Sequence, residues 1–122
     1  MGTKRRIVII DDEPAFAEIL TKLVRDLGFE VTVATDARSS YTFELKNSDI
    51  VFVDVLMPNV SGLQVLQKLA QQKAKCSVVL MSGHLERLDE AEKLARKLDL
   101  NLIGALEKPF RLQDVKDVLL GA

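Results

Sequence analysis

Cysteine is almost absent from this sequence, and the single one is Cys76. One cysteine cannot form a disulfide within the chain, so nothing in the sequence requires an oxidising compartment. An excess of one charge is missing too, because 17 basic side chains stand against 18 acidic ones, for a formal charge of −1. This balance argues against a surface that binds nucleic acid directly, since such domains are usually basic.

Long hydrophobic runs are also missing. After Lys4, Arg5 and Arg6, only four apolar residues precede the first acids, which is too short for a signal peptide or a membrane span. We therefore expect a soluble, cytoplasmic protein with no membrane partner.

Repeats, low-complexity tracts and linkers are lacking as well. With 122 residues, of which 48 % are hydrophobic, the sequence predicts a single domain over 1–122 with a full core.

Short apolar runs alternate with amphipathic segments along the chain. The runs predict five strands, at Arg6–Ile10, Glu30–Ala34, Ile50–Val53, Ser77–Met81 and Leu102–Leu106. Apolar residues at helical spacing predict helices over about 16–27, 63–70, 85–98 and 112–119. A further helix, built from poorer helix formers, is predicted over about 37–46. This alternation favours an α/β fold, a doubly wound parallel sheet with helices on both faces.

Polar side chains follow the apolar runs where four of the predicted strands end. The first strand is followed by Asp11 and Asp12, the third by Asp54, the fourth by Ser82 and the fifth by Lys108. Ligands of parallel α/β sheets bind beyond the carboxyl ends of the strands, so we expect these side chains to converge at one edge. Asp49 precedes the third strand, which places it at the opposite edge, about 15 Å or more from Asp54.

These residue types together indicate phosphoryl transfer. Three carboxylates in one pocket need a cation, and Mg²⁺ suits them because it is a hard ion that binds carboxylate oxygens and keeps several waters. Lys108 adds a positive charge that can pair with Asp54 or with a phosphate, and Ser82 adds a hydroxyl donor. A carboxylate nucleophile, a metal, an ammonium and a hydroxyl are the groups that phosphoryl transfer through an aspartyl phosphate requires.

Each of these residues also has a simpler explanation when it is taken alone. The acids after the first strand could cap a helix, the acid after the third could be an ordinary loop residue, the lysine could be a surface charge and the serine could form a turn. Their shared position at one sheet edge favours a functional site. His84 has no cysteine or histidine partner at zinc-ligand spacing, so we expect an exposed loop residue there.

Four motifs at these strand ends carry a resemblance: DDE at 11–13, VDVLMPNVSG at 53–62, MSGH at 81–84 and EKPF at 107–110. In this order and spacing they resemble the receiver domain of two-component response regulators, over about 4–120. The resemblance implies a flavodoxin-like sheet of five parallel strands in the order 2-1-3-4-5. It also implies phosphoryl donation by a sensor histidine kinase or a phosphotransfer protein, and it is compatible with an output domain fused beyond residue 122. The segment LDLNLIGALEKPF is similar to that of receivers fused to cyclic-di-GMP phosphodiesterase domains.

The resemblance also implies roles for the residues that match the motifs. Asp54 would be the phosphoacceptor. Asp11 and Asp12 would be the Mg²⁺ acids, with Asp54 and the backbone carbonyl of Leu56 completing the protein ligands. Slow hydrolysis of the aspartyl phosphate would return the domain to its resting state.

The remaining roles concern the switch. Lys108 would pair with the phosphoryl group, and Ser82 would move its hydroxyl towards it. Three residues before the lysine the family usually carries an aromatic residue, but Ala105 stands there, so we expect switching without an aromatic flip. Phosphorylation should instead change the conformation around the fourth helix. We also predict a cis peptide bond between Lys108 and Pro109.

Three other functions compete with a phosphorylated signalling switch. An aspartyl-phosphate phosphatase would need an acid two residues after the nucleophile, where Leu56 stands. A flavodoxin-like cofactor binder would need a first loop rich in hydroxyls and glycine, and the carboxylates of DDEPAF would repel a flavin phosphate. A degenerate receiver that acts only as a phosphorylation-independent docking module is the third, and the complete set of site residues argues against it. We therefore expect a signalling switch rather than a metabolic enzyme.

Overall fold

In the computed structural model, which describes residues 5–35, 45–57 and 61–120, strands and helices alternate along the chain. The strands are β1 (Arg6–Ile10), β2 (Glu30–Ala34), β3 (Ile50–Asp54), β4 (Ser77–Ser82) and β5 (Asn101–Glu107). The helices are α1 (Pro14–Asp26), α2 (Gly62–Gln71), α3 (Leu85–Lys97) and α4 (Leu112–Leu120). None of these helices is long and apolar enough to cross a membrane. Apart from its last two residues, the helix predicted over 37–46 lies outside the described residues, so α3 is the predicted fourth helix.

The five strands are parallel and lie in the order β2-β1-β3-β4-β5, which confirms the predicted sheet. The inner strands β1, β3 and β4 are buried almost without interruption, as strands covered on both faces should be. From β1 the chain runs to β2 on one side, and then returns to β3 on the other. The strand order therefore reverses between β1 and β3, and the crevice at their carboxyl ends is where such sheets bind ligands.

Both faces of the sheet carry a hydrophobic cluster, which confirms that helices cover the two sides. One cluster packs α2 and α3 against one face, and we call it the α2/α3 cluster. The other packs α1 and α4 against the opposite face, and we call it the α1/α4 cluster. Alternate residues of the inner strands serve the two clusters: Val8, Val51 and Val53 face the first, whereas Ile7, Ile9 and Phe52 face the second.

Strand β5 contains a bulge that the sequence pattern did not predict. Val79 of β4 pairs with Gly104 and not with Ile103, so Ile103 is an extra residue in the ladder. Ile103 packs against the α1/α4 cluster, and a Cβ atom on Gly104 would meet Val118 of α4 at 2.8 Å. These two consecutive residues therefore face the same side of the sheet. After the bulge, Ala105 packs against the opposite α2/α3 cluster.

A partly buried ion pair joins the amino ends of β1 and β3. The Asp49 side chain is 1 % exposed and accepts hydrogen bonds from Arg6 Nη2 at 2.6 Å and Arg6 Nε at 3.3 Å. The same carboxylate accepts the backbone N–H of Lys46 at 2.8 Å. The Asp49 carbonyl accepts the N–H of Ser77, the first residue of β4. Asp49 thus lies at the opposite end of β3 from Asp54, as predicted, and has a structural partner there.

We expect Asp49→Asn to lower the free energy of unfolding by about 1–3 kcal/mol, because it removes the charge that pairs with Arg6 from a buried site. Urea denaturation followed by circular dichroism measures this difference. The matched control is Asp26→Asn at an exposed position, which should change stability by no more than about 0.5 kcal/mol. Equal effects of the two substitutions would contradict a stabilising role for the ion pair.

Candidate functional site

Three acids meet where the strand order reverses. Asp11 and Asp12 directly follow β1, and Asp54 is the last residue of β3. One carboxylate oxygen from each lies within 4.8 Å of the other two, so this group could hold a metal ion. Asp11 and Asp54 are buried, whereas Asp12 is half-buried. The structure therefore brings together the three acids that the sequence placed at this edge.

The turn from β1 into α1 explains why Asp11 points inward. Its Oδ1 accepts the backbone N–H of Glu13 at 3.0 Å, and its own N–H donates to the carbonyl of Ala34 at 3.1 Å. Glu13 occupies the N-cap position of α1, and Pro14 stands in the first helical turn, but the Glu13 side chain makes no capping hydrogen bond. Helix capping by the side chain at this position therefore does not account for the run of acids.

The loop after β3 is held by close backbone contacts. The N–H of Val55 donates to the carbonyl of Met81 at 2.8 Å, and the carbonyl of Val55 accepts the N–H of Gly62 at 2.9 Å. Asp54 Oδ1 accepts the N–H of Leu56 at 3.3 Å. A Cβ atom on Gly62 would lie 2.6 Å from the Val55 Cα and 2.7 Å from the Asp54 carbonyl oxygen. Only glycine lets α2 begin this close to the Asp54 backbone.

Lys108 reaches the acids from the end of β5. Its backbone N–H donates to the carbonyl of Ser82 at 2.8 Å, which joins the ends of β4 and β5. Its Nζ lies 2.9 Å from Asp11 Oδ2, 3.4 Å from Asp54 Oδ2 and 3.4 Å from Glu13 Oε1. The Lys108 side chain is only 13 % exposed. The expected pairing with Asp54 is present, but Asp11 is the nearest partner, and the contribution of Glu13 was not predicted. The Lys108–Pro109 peptide bond is cis, as predicted.

Ser82 lies at the same edge, fully buried at the end of β4. Its Oγ accepts the backbone N–H of His84 at 3.1 Å, so the hydroxyl is engaged in the turn that leads into α3. His84 is exposed and occupies the N-cap position of α3, as expected for a loop residue. A groove of about 770 Å³ opens beside this turn and reaches Leu56 and Lys108.

Negative charge dominates the electrostatics of the site. Burial raises the pKa of Asp54, the charge of Asp11 raises it further, and the Lys108 ammonium opposes both effects. Burial also raises the pKa of Asp12. For Lys108, burial lowers the pKa, but the hydrogen bond to Asp11 and the charge of Asp54 outweigh burial and raise it. One ammonium therefore does not neutralise these acids, and a divalent cation would stabilise their ionised form.

Two aromatic side chains that sequence reasoning did not assign to the site lie beside the lysine. Lys108 Nζ is 4.0 Å from the centroid of the Phe16 ring. The Phe16 and Phe110 rings meet edge to face, with centroids 5.3 Å apart. In the sequence, Phe16 only marks the start of the helical periodicity over about 16–27, and Phe110 is only the last residue of the EKPF motif. The available signal was the position of Phe16 three residues after Glu13, in the first turn of the helix that follows the acids.

A family model of the response regulator receiver domain matches residues 7–120. The chain belongs to this family. The receiver is 30 % identical over 115 residues to the probable transcriptional regulatory protein TcrX of Mycobacterium tuberculosis, covering 93 % of this chain and 47 % of that protein. It is 32 % identical over 117 residues to the positive alginate biosynthesis regulatory protein of Pseudomonas aeruginosa, covering 93 % of this chain and 45 % of that protein. The receiver thus spans about half the length of these curated relatives, which are regulators rather than metabolic enzymes.

Solved structures give the same picture of the fold. A response regulator from Colwellia psychrerythraea matches with a TM-score of 0.88 and 30 % identity, over 98 % of this chain and 96 % of that one. A response regulator from Thermotoga maritima, solved in complex with Mg²⁺ and BeF, matches with a TM-score of 0.77 and 23 % identity, over 98 % of both chains.

We expect Gly62→Ala to lower the free energy of unfolding by about 1–3 kcal/mol, because the added methyl group would overlap the backbone of Val55 and Asp54. The matched control is Gly83→Ala, since a Cβ atom there meets nothing within 4 Å. Urea denaturation of both variants measures the difference. If the two variants unfold at the same urea concentration, the close approach of α2 to the Asp54 loop does not constrain the site.

Proposed function

We propose that this receiver domain is a phosphoryl-accepting switch of a two-component system and that Asp54 is the phosphoacceptor. One observation carries the proposal. The buried Asp54 carboxylate belongs to the same 4.8 Å group as Asp11 and Asp12, and it lies 3.4 Å from Lys108 Nζ. A nucleophile, metal-binding acids and a cation are thus available at one point, which is what an aspartyl phosphate requires.

The donor set fits Mg²⁺. Asp11, Asp12 and Asp54 offer hard carboxylate oxygens, and burial and the charge of Asp11 raise the pKa of Asp54, an effect that a bound cation would oppose. These three acids and the backbone carbonyl of Leu56 would hold the ion. When bound, Mg²⁺ neutralises charge on the transferring phosphoryl group.

The chemical step is a displacement at phosphorus. A carboxylate oxygen of Asp54 attacks the phosphorus of a phosphohistidine on a sensor histidine kinase or a phosphotransfer protein. The new P–O bond forms as the P–N bond breaks, and the departing imidazole nitrogen keeps the electron pair and takes up a proton. The Lys108 ammonium then pairs with a phosphoryl oxygen. Water later attacks phosphorus, which breaks the P–O bond and returns the Asp54 carboxylate and inorganic phosphate.

The switch begins at Ser82. A phosphoryl group adds about −1.5 to −2 charge and three acceptor oxygens, which attract the Ser82 hydroxyl away from the N–H of His84. That hydrogen bond lies in the turn before α3, so the start of α3 moves with it. Ala105 lies partly buried against the α2/α3 cluster and carries only a methyl group, so no aromatic side chain accompanies the change at that position.

The signal must then reach an output. We propose that residues 1–122 form one receiver domain that acts on an output domain beyond residue 122, because the chain matches about half the length of regulatory relatives. A phosphodiesterase output for cyclic-di-GMP and a cytoplasmic location remain predictions from the sequence.

We expect acetyl phosphate with Mg²⁺ to add one phosphoryl group that is labile to base and hydroxylamine. Asp54→Asn should abolish the addition, because an amide is a poor nucleophile, whereas the control Asp99→Asn at an exposed turn should keep it. Intact-mass spectrometry measures the gain. Stoichiometric labelling of Asp54→Asn would show that another residue is the acceptor. A wild-type chain that is never labelled would favour the phosphorylation-independent docking module.

Mg²⁺ affinity tests the metal site separately. Asp12→Asn should weaken binding by at least about tenfold, because a half-buried carboxylate of the three-acid group is lost. The matched control is Glu13→Gln, which removes a neighbouring charge that contacts Lys108 but lies outside the three-acid group. Isothermal titration calorimetry gives both affinities. Equal losses in the two variants would mean that general negative charge, and not a defined ligand set, binds the ion.

A further inference from the structure

We propose that Phe16 is a positioning residue for Lys108, and that its ring keeps the ammonium beside Asp54 when the acids take up their cation. The inference rests on the proposed function of Asp54 and deepens it. It assigns a role to a side chain that lies outside the acids, the serine and the lysine already described.

The contact that motivates the proposal is a cation–π interaction in a confined place. Lys108 Nζ lies 4.0 Å from the centroid of the Phe16 ring, and the Lys108 side chain is 13 % exposed. The negative face of an aromatic ring attracts an ammonium, and the attraction strengthens when water is excluded. The ring therefore contributes to holding the ammonium, together with three carboxylate oxygens within 3.4 Å.

The ring is itself held in place. Phe16 lies in the first turn of α1 and meets the Phe110 ring edge to face at an interplanar angle of 89°. Both rings pack partly buried against the α1/α4 cluster. Phe110 follows Lys108 by two residues, in the loop between β5 and α4. The contact between the two rings thus packs the loop between β5 and α4, which carries Lys108, against α1.

The ring differs from the carboxylates in one decisive respect, which is its lack of charge. The closest partner of the ammonium is Asp11, which also belongs to the metal-binding group. A cation at that group competes with Lys108 for Asp11 and repels the ammonium. The Phe16 ring is not a metal ligand, so its attraction for the ammonium persists when the acids are occupied. With a flexible four-carbon stem, Lys108 would otherwise have to be reordered each time a phosphoryl group arrives.

A simple core-filling role for Phe16 makes a different prediction from a positioning role. Phe16→Leu keeps an apolar side chain in the α1/α4 cluster and removes the aromatic face, whereas Phe16→Tyr keeps the face. The matched control is Phe29→Leu, because Phe29 packs partly buried against the same cluster but directly precedes β2, at the opposite edge of the sheet from Lys108.

The experiment has two readouts. The first is the ¹H shift of the Lys108 ε-methylene in ¹³C-edited NMR spectra of the metal-free protein. It should lie upfield in the wild type and in Phe16→Tyr because of the ring current, and return to the ordinary lysine position in Phe16→Leu.

The second readout is the affinity for beryllofluoride in saturating Mg²⁺, followed by NMR titration. Phe16→Leu should bind about threefold to tenfold more weakly, as loss of one cation–π contact implies, with Phe16→Tyr and Phe29→Leu close to wild type.

The contradicting results are distinct. Three results would each overturn the positioning role: an unchanged Lys108 shift in Phe16→Leu, an unchanged beryllofluoride affinity in that variant, or an equal loss of affinity in Phe29→Leu. If the wild type binds beryllofluoride, these results leave the proposed function intact. A wild-type protein that binds no beryllofluoride would contradict the proposed function. In that case the Lys108 shift alone still reports whether the ring holds the ammonium.

Discussion

Excess negative charge at the carboxyl ends of β1 and β3 determines the chemistry of the candidate site. Asp11 and Asp54 are buried next to each other, and Lys108 is the cation that contacts both in the described structure. Charges interact strongly where water is scarce, so a cation would stabilise the ionised acids, and Lys108 would be available to pair with a phosphoryl group in the proposed function. The proposed metal binding, phosphoryl acceptance and displacement of Ser82 all follow from this imbalance of charge.

The strands and their connecting loops hold the acids close to one another. Inner strands that are buried on both faces deliver the acids at the reversal of strand order. Gly62 lets α2 approach the Asp54 backbone, and the hydrogen bond from Lys108 N–H to the Ser82 carbonyl joins β4 to β5. The Arg6–Asp49 pair secures the opposite end of the sheet. Unfavourable charge is thus concentrated where ligands can relieve it, while backbone contacts beside the acids and the Arg6–Asp49 pair hold the strands in place.

Much of this arrangement could be predicted from the sequence, because it depends on local patterns. Apolar runs gave the strands to within about one residue, and strand direction alone separated Asp49 from Asp54. The remaining features depend on contacts between distant segments. The bulge at Ile103 is defined by pairing with β4, and the choice of Asp11 as the nearest partner of Lys108 joins residues 97 positions apart. The contact between Phe16 and Lys108 is of the same kind. The periodicity of apolar residues in the sequence does not indicate which residues of distant segments contact each other.

The central hypothesis is that the acids and Lys108 together receive a phosphoryl group on Asp54. A crystal structure of the protein with Mg²⁺ and beryllofluoride tests it most directly. We expect beryllium bonded to an Asp54 carboxylate oxygen, an ion held by Asp11, Asp12 and Asp54, and Lys108 Nζ within about 3 Å of a fluoride. Beryllofluoride bound at another residue, or Lys108 still paired with Asp11 and turned away from the fluoride, would contradict it.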